Sequence, residues 1–409
     1  TEQSPLTNNP LKMKKLILFA FSLLFYMGTS AQTLDVVAPE VVGLSGTRLA
    51  NADRIIEQAI KDQTIPGAVL CVERHGKIGY LKAYGNKRVY PNTEKMTTNT
   101  VFDMASCSKA MSTATCAMIL IDRGQLRLLD RVDQYVPGFE NWKDTITGET
   151  EAIRIINLMT HTSGLPPYAP VQDLKKKYGS PNPKAVVDWI SHCRRLYAPE
   201  KGWTYSCCNY IMLQQVIEKI TGQSIQQFAH DNIFAPLGMR YTDYRPTKEL
   251  AALCAPTEKQ ADGKCLLGVV HDPLACTMMA GLSGNAGLFS SAEDVATYCA
   301  AILNGGELNG KRILSPLAVK CMTTVPRSLE QFGHTPGWGN STPYSSNLGD
   351  LLSSQAFGHT GYTGTSIVMD PVNDVAIILL TNCVHPVDKG NVVRLRSLVA
   401  NAVAGSILK

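Results

Sequence analysis

Alternating apolar and polar positions near both ends of the chain predict β-strands. Residues 67–85 fit two strands around the turn His75-Gly76-Lys77, because an apolar run precedes the turn and an alternating pattern follows it. Residues 365–370 and 375–380 show strand patterns near the C-terminus. We therefore expect a sheet that combines segments from the two ends of the chain.

Helical periodicity occupies the middle of the chain and returns near its end. One helix is predicted to begin at Ser106 and to end at Gly124, and others are predicted over 183–196, 209–222, 225–234, 292–303 and 392–407. Strands at the ends with helices between them predict an α+β fold: an antiparallel sheet formed by both chain ends, flanked by helices, with a mostly helical inserted subdomain. No linker or internal repeat divides the chain, so one unit is expected over 32–409, with sheet parts at about 40–110 and 290–409 and a helical part at about 111–289.

A short apolar segment near the N-terminus has the pattern of an export signal. Met13 and two lysines precede an apolar run of 12 residues, and small residues that end at Ala31 follow it. Such a run is too short to span a bilayer as a helix, which needs ~20 residues. The sequence therefore predicts a signal peptide over 13–31 and a periplasmic or secreted protein without a stable membrane span after cleavage.

Composition narrows the functional classes. The 409 residues include 39 Lys plus Arg and 34 Asp plus Glu, so the net charge is +5. This mild bias argues against a strongly basic nucleic-acid binder, and no nucleic-acid partner is expected. Twelve cysteines occur without a C-x-x-C pair, so no structural zinc site is indicated, and no metal or organic cofactor is implied. Cys254 and Cys265 flank a turn-rich stretch, and a disulfide between them is left open.

The first candidate for chemistry is Ser106-Cys107-Ser108-Lys109 at the start of a predicted helix. Residues three positions apart share a helix face, so Lys109 can reach the Ser106 hydroxyl. The helix N-terminus supplies free N–H groups and a partial positive charge, which favour an alkoxide and an oxyanion. A lysine crowded there can lose its proton and act as a base. The alternative is that Ser106 is an ordinary N-cap residue.

Two further motifs follow in chain order. Tyr205 opens the segment Tyr205-Ser206-Cys207-Cys208-Asn209, and His359-Thr360-Gly361 stands at the entry to a predicted strand. Small residues there let a substrate backbone lie against the strand edge. Taken singly, Tyr205 could be a core aromatic residue and His359 a surface-loop residue.

In this order, the three motifs resemble those of penicillin-recognising serine hydrolases. The chain is similar to the branch that holds class C β-lactamases, low-molecular-weight penicillin-binding proteins, DD-carboxypeptidases and related esterases. Supporting stretches lie at 129–137, 158–166, 236–239, 286–294 and 358–364, so the resemblance covers about 50–405. It implies a β-lactamase/transpeptidase-like fold and a single catalytic unit over 32–409.

The resemblance also implies roles for individual residues. Ser106 would be the acylated nucleophile, Lys109 would activate it, and Tyr205 would carry the proton to the leaving group and assist deacylation. The backbone N–H groups of Ser106 and Tyr362 would form the oxyanion hole.

The substrate-binding positions carry two departures from the family pattern. His359, Thr360 and Gly361 would bind a substrate carboxylate or its surrogate, but His359 replaces the family's lysine and is expected to be only partly charged near neutral pH. Cys207 holds the position of the Asn that normally contacts the substrate amide, and Asn209 lies two residues further on. Both Cys207 and Asn209 are therefore candidates for substrate contact.

The favoured function is an exported DD-carboxypeptidase-like peptidase that acts on D-Ala-D-Ala-type peptides, including peptidoglycan peptides. A carboxylesterase on small acyl esters, or a weak β-lactamase, is the alternative within the same chemistry. The non-enzymatic alternative is a catalytically silent binding protein with the same fold.

Overall fold

The computed structural model describes residues 1–2, 34–390 and 392–408. The predicted signal peptide at 13–31 lies outside the described residues. Within the described part of the chain, no helix combines the length and the apolar character that a bilayer span needs.

A six-stranded antiparallel sheet forms the centre of the fold. In the described residues the strands are β1 (Gly67–Arg74), β2 (Lys77–Arg88), β3 (Glu94–Lys95), β4 (Val101–Asp103), β5 (Trp142–Lys143), β6 (Thr150–Glu151), β7 (Asp243–Tyr244), β8 (Leu288–Ser291), β9 (Glu307–Leu308), β10 (Lys311–Arg312), β11 (Phe357–Thr360), β12 (Ser366–Asp370) and β13 (Val375–Thr381). The strand order of the central sheet is β11-β12-β13-β1-β2-β3, and a smaller sheet has the order β4-β8-β7.

The two ends of the chain close the central sheet. β1 pairs with β13 antiparallel, with Cys71 opposite Ile378. β1 and β2 form the predicted hairpin, in which His75 and Gly76 both have a positive φ, as a tight two-residue turn requires. The predicted α+β fold with a sheet from both chain ends is confirmed.

Helices cover both faces of this sheet. The α-helices are α1 (Gly46–Lys61), α2 (Thr115–Asp122), α3 (Ile155–Met159), α4 (Val171–Tyr178), α5 (Pro183–His192), α6 (Cys207–Thr221), α7 (Ile225–Ala229), α8 (Ala235–Leu237), α9 (Lys248–Leu253), α10 (Ala292–Leu303), α11 (Pro316–Thr323) and α12 (Val393–Ala404). π-Helical turns occupy Lys109–Ala114, His230–Phe234 and Leu274–Met278, and 3₁₀ turns occupy Pro39–Val42, Val132–Gln134, Arg327–Phe332 and Ser345–Leu348.

The side chains of the central strands divide into two cores. Because successive strand residues point to opposite faces, Leu70 and Leu379 join a core with α1 and α12, whereas Cys71 and Ile378 join a larger core on the other side. The larger core contains α10 and the helices of the inserted region. The segment 106–109 adjoins this larger core, to which Cys107 contributes its side chain.

Two sequence expectations need correction. The predicted helix over 225–234 is not uniform, because α7 passes into a π-helical turn at His230–Phe234. The disulfide left open between Cys254 and Cys265 does not form, and all twelve cysteines are free. Cys254 is fully buried, and the backbone of Cys265 bridges to Lys259 instead.

Candidate active site

Ser106 follows a strained turn between β4 and the helix that carries Lys109. Ala105 has a left-handed φ of 45°, which is costly for a residue with a Cβ. Its N–H donates to Oδ1 of the buried Asp103 at 2.9 Å, and Oδ2 of Asp103 accepts from the backbone N–H of His271 at 2.7 Å. The Asp103 carboxyl therefore holds the turn that presents Ser106 to the cavity.

Lys109 lies directly behind Ser106. It is fully buried, and its Nζ donates to Ser106 Oγ and to the backbone carbonyl of Asn285, both at 2.8 Å. Burial acts to lower the pKa of Lys109, but its interactions with the Cys207 thiol and the Tyr205 phenol outweigh this effect, and the net shift is upward. Lys109 therefore holds a proton in the resting site near neutral pH, and its free-base form is the minor one.

Tyr205 is the third residue that the sequence predicted to be catalytic, and it lies beside Lys109. Lys109 Nζ lies 5.0 Å from the centroid of its ring, and the rings of His161 and Tyr344 lie at 4.6 and 5.2 Å. Burial raises the pKa of the Tyr205 phenol, whereas Lys109 and Ser106 act in the opposite direction. Tyr205 and Lys109 are thus two protonated groups placed to exchange protons with the Ser106 hydroxyl.

Cys207 is the first residue of α6, and its thiol faces Lys109. Burial raises the pKa of the Cys207 thiol, and the nearby Lys109 ammonium only partly opposes this. The thiol is therefore protonated at neutral pH. It offers one weak donor at a position where an amide side chain would offer two N–H groups and a carbonyl oxygen.

Asn209, one of the predicted substrate-binding residues, does not reach the cavity. It is fully buried, its Oδ1 accepts from Ser163 Oγ at 2.5 Å, and its Nδ2 lies 3.1 Å from Nδ1 of His161. Two residues along a helix turn the side chain by about 200°, so Asn209 points into the protein when Cys207 points at Lys109. The structure corrects this prediction: Asn209 fixes the segment that carries Tyr205.

The strand β11 brings His359 and Thr360 to the wall of the same cavity. The next residue, Gly361, has no room for a side chain, because a Cβ there would lie 2.1 Å from Thr365 Oγ1 and 2.6 Å from Met104 O. The glycine therefore allows the loop after β11 to approach the turn that presents Ser106.

The imidazole of His359 is neutral near neutral pH, whereas the sequence predicted partial charge. Burial, together with the positive charge of Lys109, lowers the pKa of His359 to about 3. Its Nδ1 lies 2.9 Å from the carbonyl oxygen of Thr360. A carbonyl only accepts, so in the neutral ring the proton is assigned to Nδ1.

The predicted oxyanion donors lie on the two segments that meet at Gly361. Among the described residues, no acceptor pairs with the backbone N–H of Ser106 or of Tyr362. The loop that presents Tyr362 is held by Arg396 of α12, whose Nη2 donates to Gly361 O at 2.6 Å and to Thr365 O at 3.1 Å. Two free N–H groups near a nucleophile are what an oxyanion hole requires.

The cavity that contains these groups has a volume of about 570 Å³. One wall is aromatic, with ring centroids of Trp203 and Tyr344 5.8 Å apart and those of Trp203 and His334 6.3 Å apart. Arg396 and Asp388 contribute charged groups to the lining. In the described ranges no cluster of three or more His, Cys, Asp or Glu side chains could hold a metal ion.

Sequence reasoning assigned no role to several of these lining residues. Trp203 stands two positions before Tyr205, so its closeness to that motif could have indicated that it lines the cavity. Arg396 interrupts the apolar face of α12, which is a weaker signal. His334 and Tyr344 come from a loop-rich region without a motif, and only the folded chain places them beside Tyr205.

Comparison with known proteins identifies the family. The Beta-lactamase family model matches residues 52–401. An Escherichia coli (strain K12) protein named "Putative D-alanyl-D-alanine carboxypeptidase" is 32% identical over 402 residues, covering 91% of this chain and 92% of its own. A Bacillus subtilis (strain 168) protein named "N-acetylmuramyl-L-alanine amidase" is 30% identical over 409 residues, with coverage of 91% and 92%.

Solved structures share the fold at lower identity. The hydrolase EstCE1, described as having promiscuous acyltransferase activity, superposes with a TM-score of 0.68 at 23% identity and covers 88% of this chain and 99% of its own. A penicillin-binding protein homologue from Caulobacter crescentus gives a TM-score of 0.68 at 16% identity, with coverage of 89% and 99%. With its family model matched over most of its length and relatives at 30% identity or more, the chain belongs to the β-lactamase family of serine hydrolases.

Proposed function

We propose that this protein forms an acyl-enzyme at Ser106 and acts as a DD-carboxypeptidase-like peptidase on D-Ala-D-Ala-type peptides. The observation that carries the proposal is the 2.8 Å hydrogen bond between Lys109 Nζ and Ser106 Oγ, beneath the ring of Tyr205. The name of the Escherichia coli relative supports the choice of substrate. The leader pattern at 13–31 supports export to the compartment where peptidoglycan peptides occur.

The reaction follows from the placement of the groups. Ser106 Oγ attacks the substrate carbonyl while its proton passes to the free-base form of the Lys109/Tyr205 pair. The N–H groups of Ser106 and Tyr362 stabilise the developing oxyanion. Tyr205 then protonates the leaving amine, and water attacks the acyl-enzyme with the same pair as base. No step needs a metal ion.

Cys207 favours a second candidate, a carboxylesterase on small acyl esters. The family's amide at this position contacts the amide of the substrate, and a thiol replaces it here. Ester hydrolysis has a better leaving group than peptide hydrolysis and depends less on that contact. The alternative of a catalytically silent binding protein is disfavoured, because Lys109 Nζ donates to an intact Ser106 hydroxyl and lies 5.0 Å from the ring centroid of Tyr205.

The first test is an intact-mass time course with benzylpenicillin and with a p-nitrophenyl acyl ester. We expect an acyl adduct on the wild type and none on Ser106→Ala. Ser112→Ala is the matched control, because Ser112 lies on the same helix and its buried Oγ has no hydrogen-bond partner in the described part of the chain. An adduct that persists in Ser106→Ala would contradict the assignment of the nucleophile.

Turnover separates the two candidates. We expect release of D-Ala from an acylated D-Ala-D-Ala peptide, measured beside hydrolysis of the ester. Ester hydrolysis with no peptide turnover from acid to alkaline pH would reject the peptidase and leave the esterase.

A further inference from the structure

The free nitrogen of His359 points into the cavity without a protein partner. Nδ1 is engaged by the carbonyl of Thr360, and among the described residues no group hydrogen-bonds to Nε2. The residue is only 7% exposed, and it lines the cavity beside Ser106. In the neutral ring, Nε2 carries a lone pair, so it accepts hydrogen bonds and repels a carboxylate oxygen.

His334 repeats the same arrangement on the neighbouring segment. Its Nδ1 lies 2.6 Å from the carbonyl oxygen of Thr335, it is 3% exposed, and it also lines the cavity. Burial lowers the pKa of His334 to about 4. The cavity therefore presents two neutral imidazole acceptors, and an uncharged substrate with N–H or O–H groups can donate to them.

Cationic groups surround His359 and oppose its protonation. Lys109 lies on the helix that follows Ser106 and Arg396 lies on α12, and His334 and the ring of Tyr205, at 6.1 Å, are further titratable neighbours. The carboxylate that lines the same cavity is Asp388, and its Oδ2 accepts from Tyr362 Oη at 2.7 Å. In the described part of the chain neither Lys109 nor Arg396 forms an ion pair with a carboxylate. A carboxylate that entered the cavity would supply the missing negative charge and make a cationic His359 favourable.

We propose that the site takes a substrate carboxylate only together with one proton, which binds at Nε2 of His359, and takes uncharged hydrogen-bond-donating substrates without it. This proposal rests on the proposed acyl-enzyme function and specifies its substrate class. Carboxylate-bearing substrates, such as peptides with a free C-terminus, are then favoured at low pH. Uncharged esters and amides are favoured as the pH rises.

A matched pair of esters isolates this effect. 3-Acetoxybenzoate and 3-acetoxybenzamide deliver the same acetyl group to Ser106, and they differ by a carboxylate or a carboxamide on the leaving phenol. We expect the ratio of kcat/KM, acid over amide, to fall about tenfold per pH unit between pH 5.5 and 8.5, because the fraction of protonated His359 falls tenfold per unit. The titration of Lys109 and Tyr205 affects both esters and cancels in the ratio.

Variants at position 359 provide the controls. In His359→Lys the cation is permanent over this range, so the ratio should rise and become independent of pH. In His359→Gln no proton can be taken up, so the ratio should stay low and should not change with pH. A ratio that does not change with pH in the wild type overturns the proposal.

A binding measurement separates this proposal from the proposed function. Calorimetric titration of Ser106→Ala with 3-acetoxybenzoate, in buffers of different ionisation enthalpy, should show uptake of about one proton per ligand bound at pH 7. Binding without proton uptake, or no binding at pH 6, overturns the proposal. Proton uptake together with a wild type that hydrolyses neither ester would instead overturn the acyl-enzyme function.

Discussion

The buried ammonium of Lys109 is solvated by two neutral oxygens, those of Ser106 and of the Asn285 backbone. Neutral acceptors compensate a buried charge less well than a carboxylate does, so the proton affinity of Lys109 depends strongly on the side chains that face it. Cys207 is one of those side chains. The identity of residue 207 therefore affects the base and, under the proposed peptidase function, the contact offered to the substrate amide.

Cys207→Asn tests this dependence. The amide restores two N–H donors and a carbonyl oxygen next to Lys109, so we expect acylation by benzylpenicillin and turnover of a D-Ala-D-Ala peptide to rise by about tenfold or more, the effect of one added hydrogen bond of about 1.4 kcal/mol. Hydrolysis of a small ester should change by less than about threefold, because it depends little on this contact.

The control is Cys207→Ala, which removes the thiol without adding an amide. Rates of acylation and peptide turnover should not rise in this variant. An equal gain in Cys207→Ala and Cys207→Asn would show that loss of the thiol, and not the new amide, is responsible.

The helix that follows Ser106 has irregular geometry next to the candidate active site. The helix that carries Lys109 contains the π-helical turn Lys109–Ala114 and continues as α2. Such turns are frequent at functional sites. The β1–β2 hairpin contains another buried titratable group, Glu73, which is 1% exposed.

Glu73 makes the stability of the hairpin depend on pH. Its Oε1 accepts from the N–H of Gly76 at 2.8 Å, but in the described residues Oε2 has no partner, and burial followed by the charge of Asp374 raises the pKa to about 8. The folded state thus keeps a proton that the unfolded chain loses above pH ~4.5. The free energy of unfolding is greatest below that pH and falls by up to about 1.4 kcal/mol per unit as the pH rises towards 8.

Glu73→Gln removes this titration and retains an acceptor for Gly76. We expect the variant to gain at least about 2 kcal/mol relative to wild type between pH 5 and pH 8, measured by urea unfolding at both values. The exposed Glu149→Gln should show no such change. The same stability difference between wild type and Glu73→Gln at both pH values would be inconsistent with a raised pKa.

The whole molecule is held together by a sheet whose central pair joins the two ends of the chain. β1 and β13 lie side by side, and α1 and α12, which are also distant in sequence, pack on the same face. β11, which carries His359, belongs to this sheet. The active site therefore depends on contacts that form only when the C-terminal strands join the N-terminal hairpin.

Ile378→Ala is expected to weaken the packing of β13 against the larger core. Ile378 is fully buried in β13, so truncation should lower the free energy of unfolding by about 4 kcal/mol, through lost burial and the cavity left behind. Ile146→Ala is the matched control, because Ile146 is 93% exposed and should change stability by less than about 0.5 kcal/mol.

The measurement is urea unfolding followed by near-ultraviolet circular dichroism and by the residual rate of hydrolysis of a p-nitrophenyl ester. We expect the two transitions to coincide in wild type and in Ile378→Ala. Separate transitions would show that the active site does not depend on closure of the sheet. A loss below about 1 kcal/mol in Ile378→Ala would contradict the expected contribution of this buried side chain to closure.

The sequence alone determined what depends on local pattern. Period-two and helical patterns predicted the hairpin of β1 and β2, the strands β12 and β13 and helices such as α10, because each buries one face over a short stretch. The spacing of Ser106 and Lys109 predicted their contact, since three residues span one turn of helix. The order of the three motifs predicted the family.

Tertiary structure decided what depends on neighbours that are distant along the chain. It turned Asn209 into the interior, brought His334, Tyr344 and Arg396 to the cavity, and left Cys254 and Cys265 apart. It also made His359 neutral, because burial and the nearby Lys109 set its proton affinity. Desolvation and Coulomb interactions act through space and not along the sequence, so the charge state of this site is a property of the folded chain.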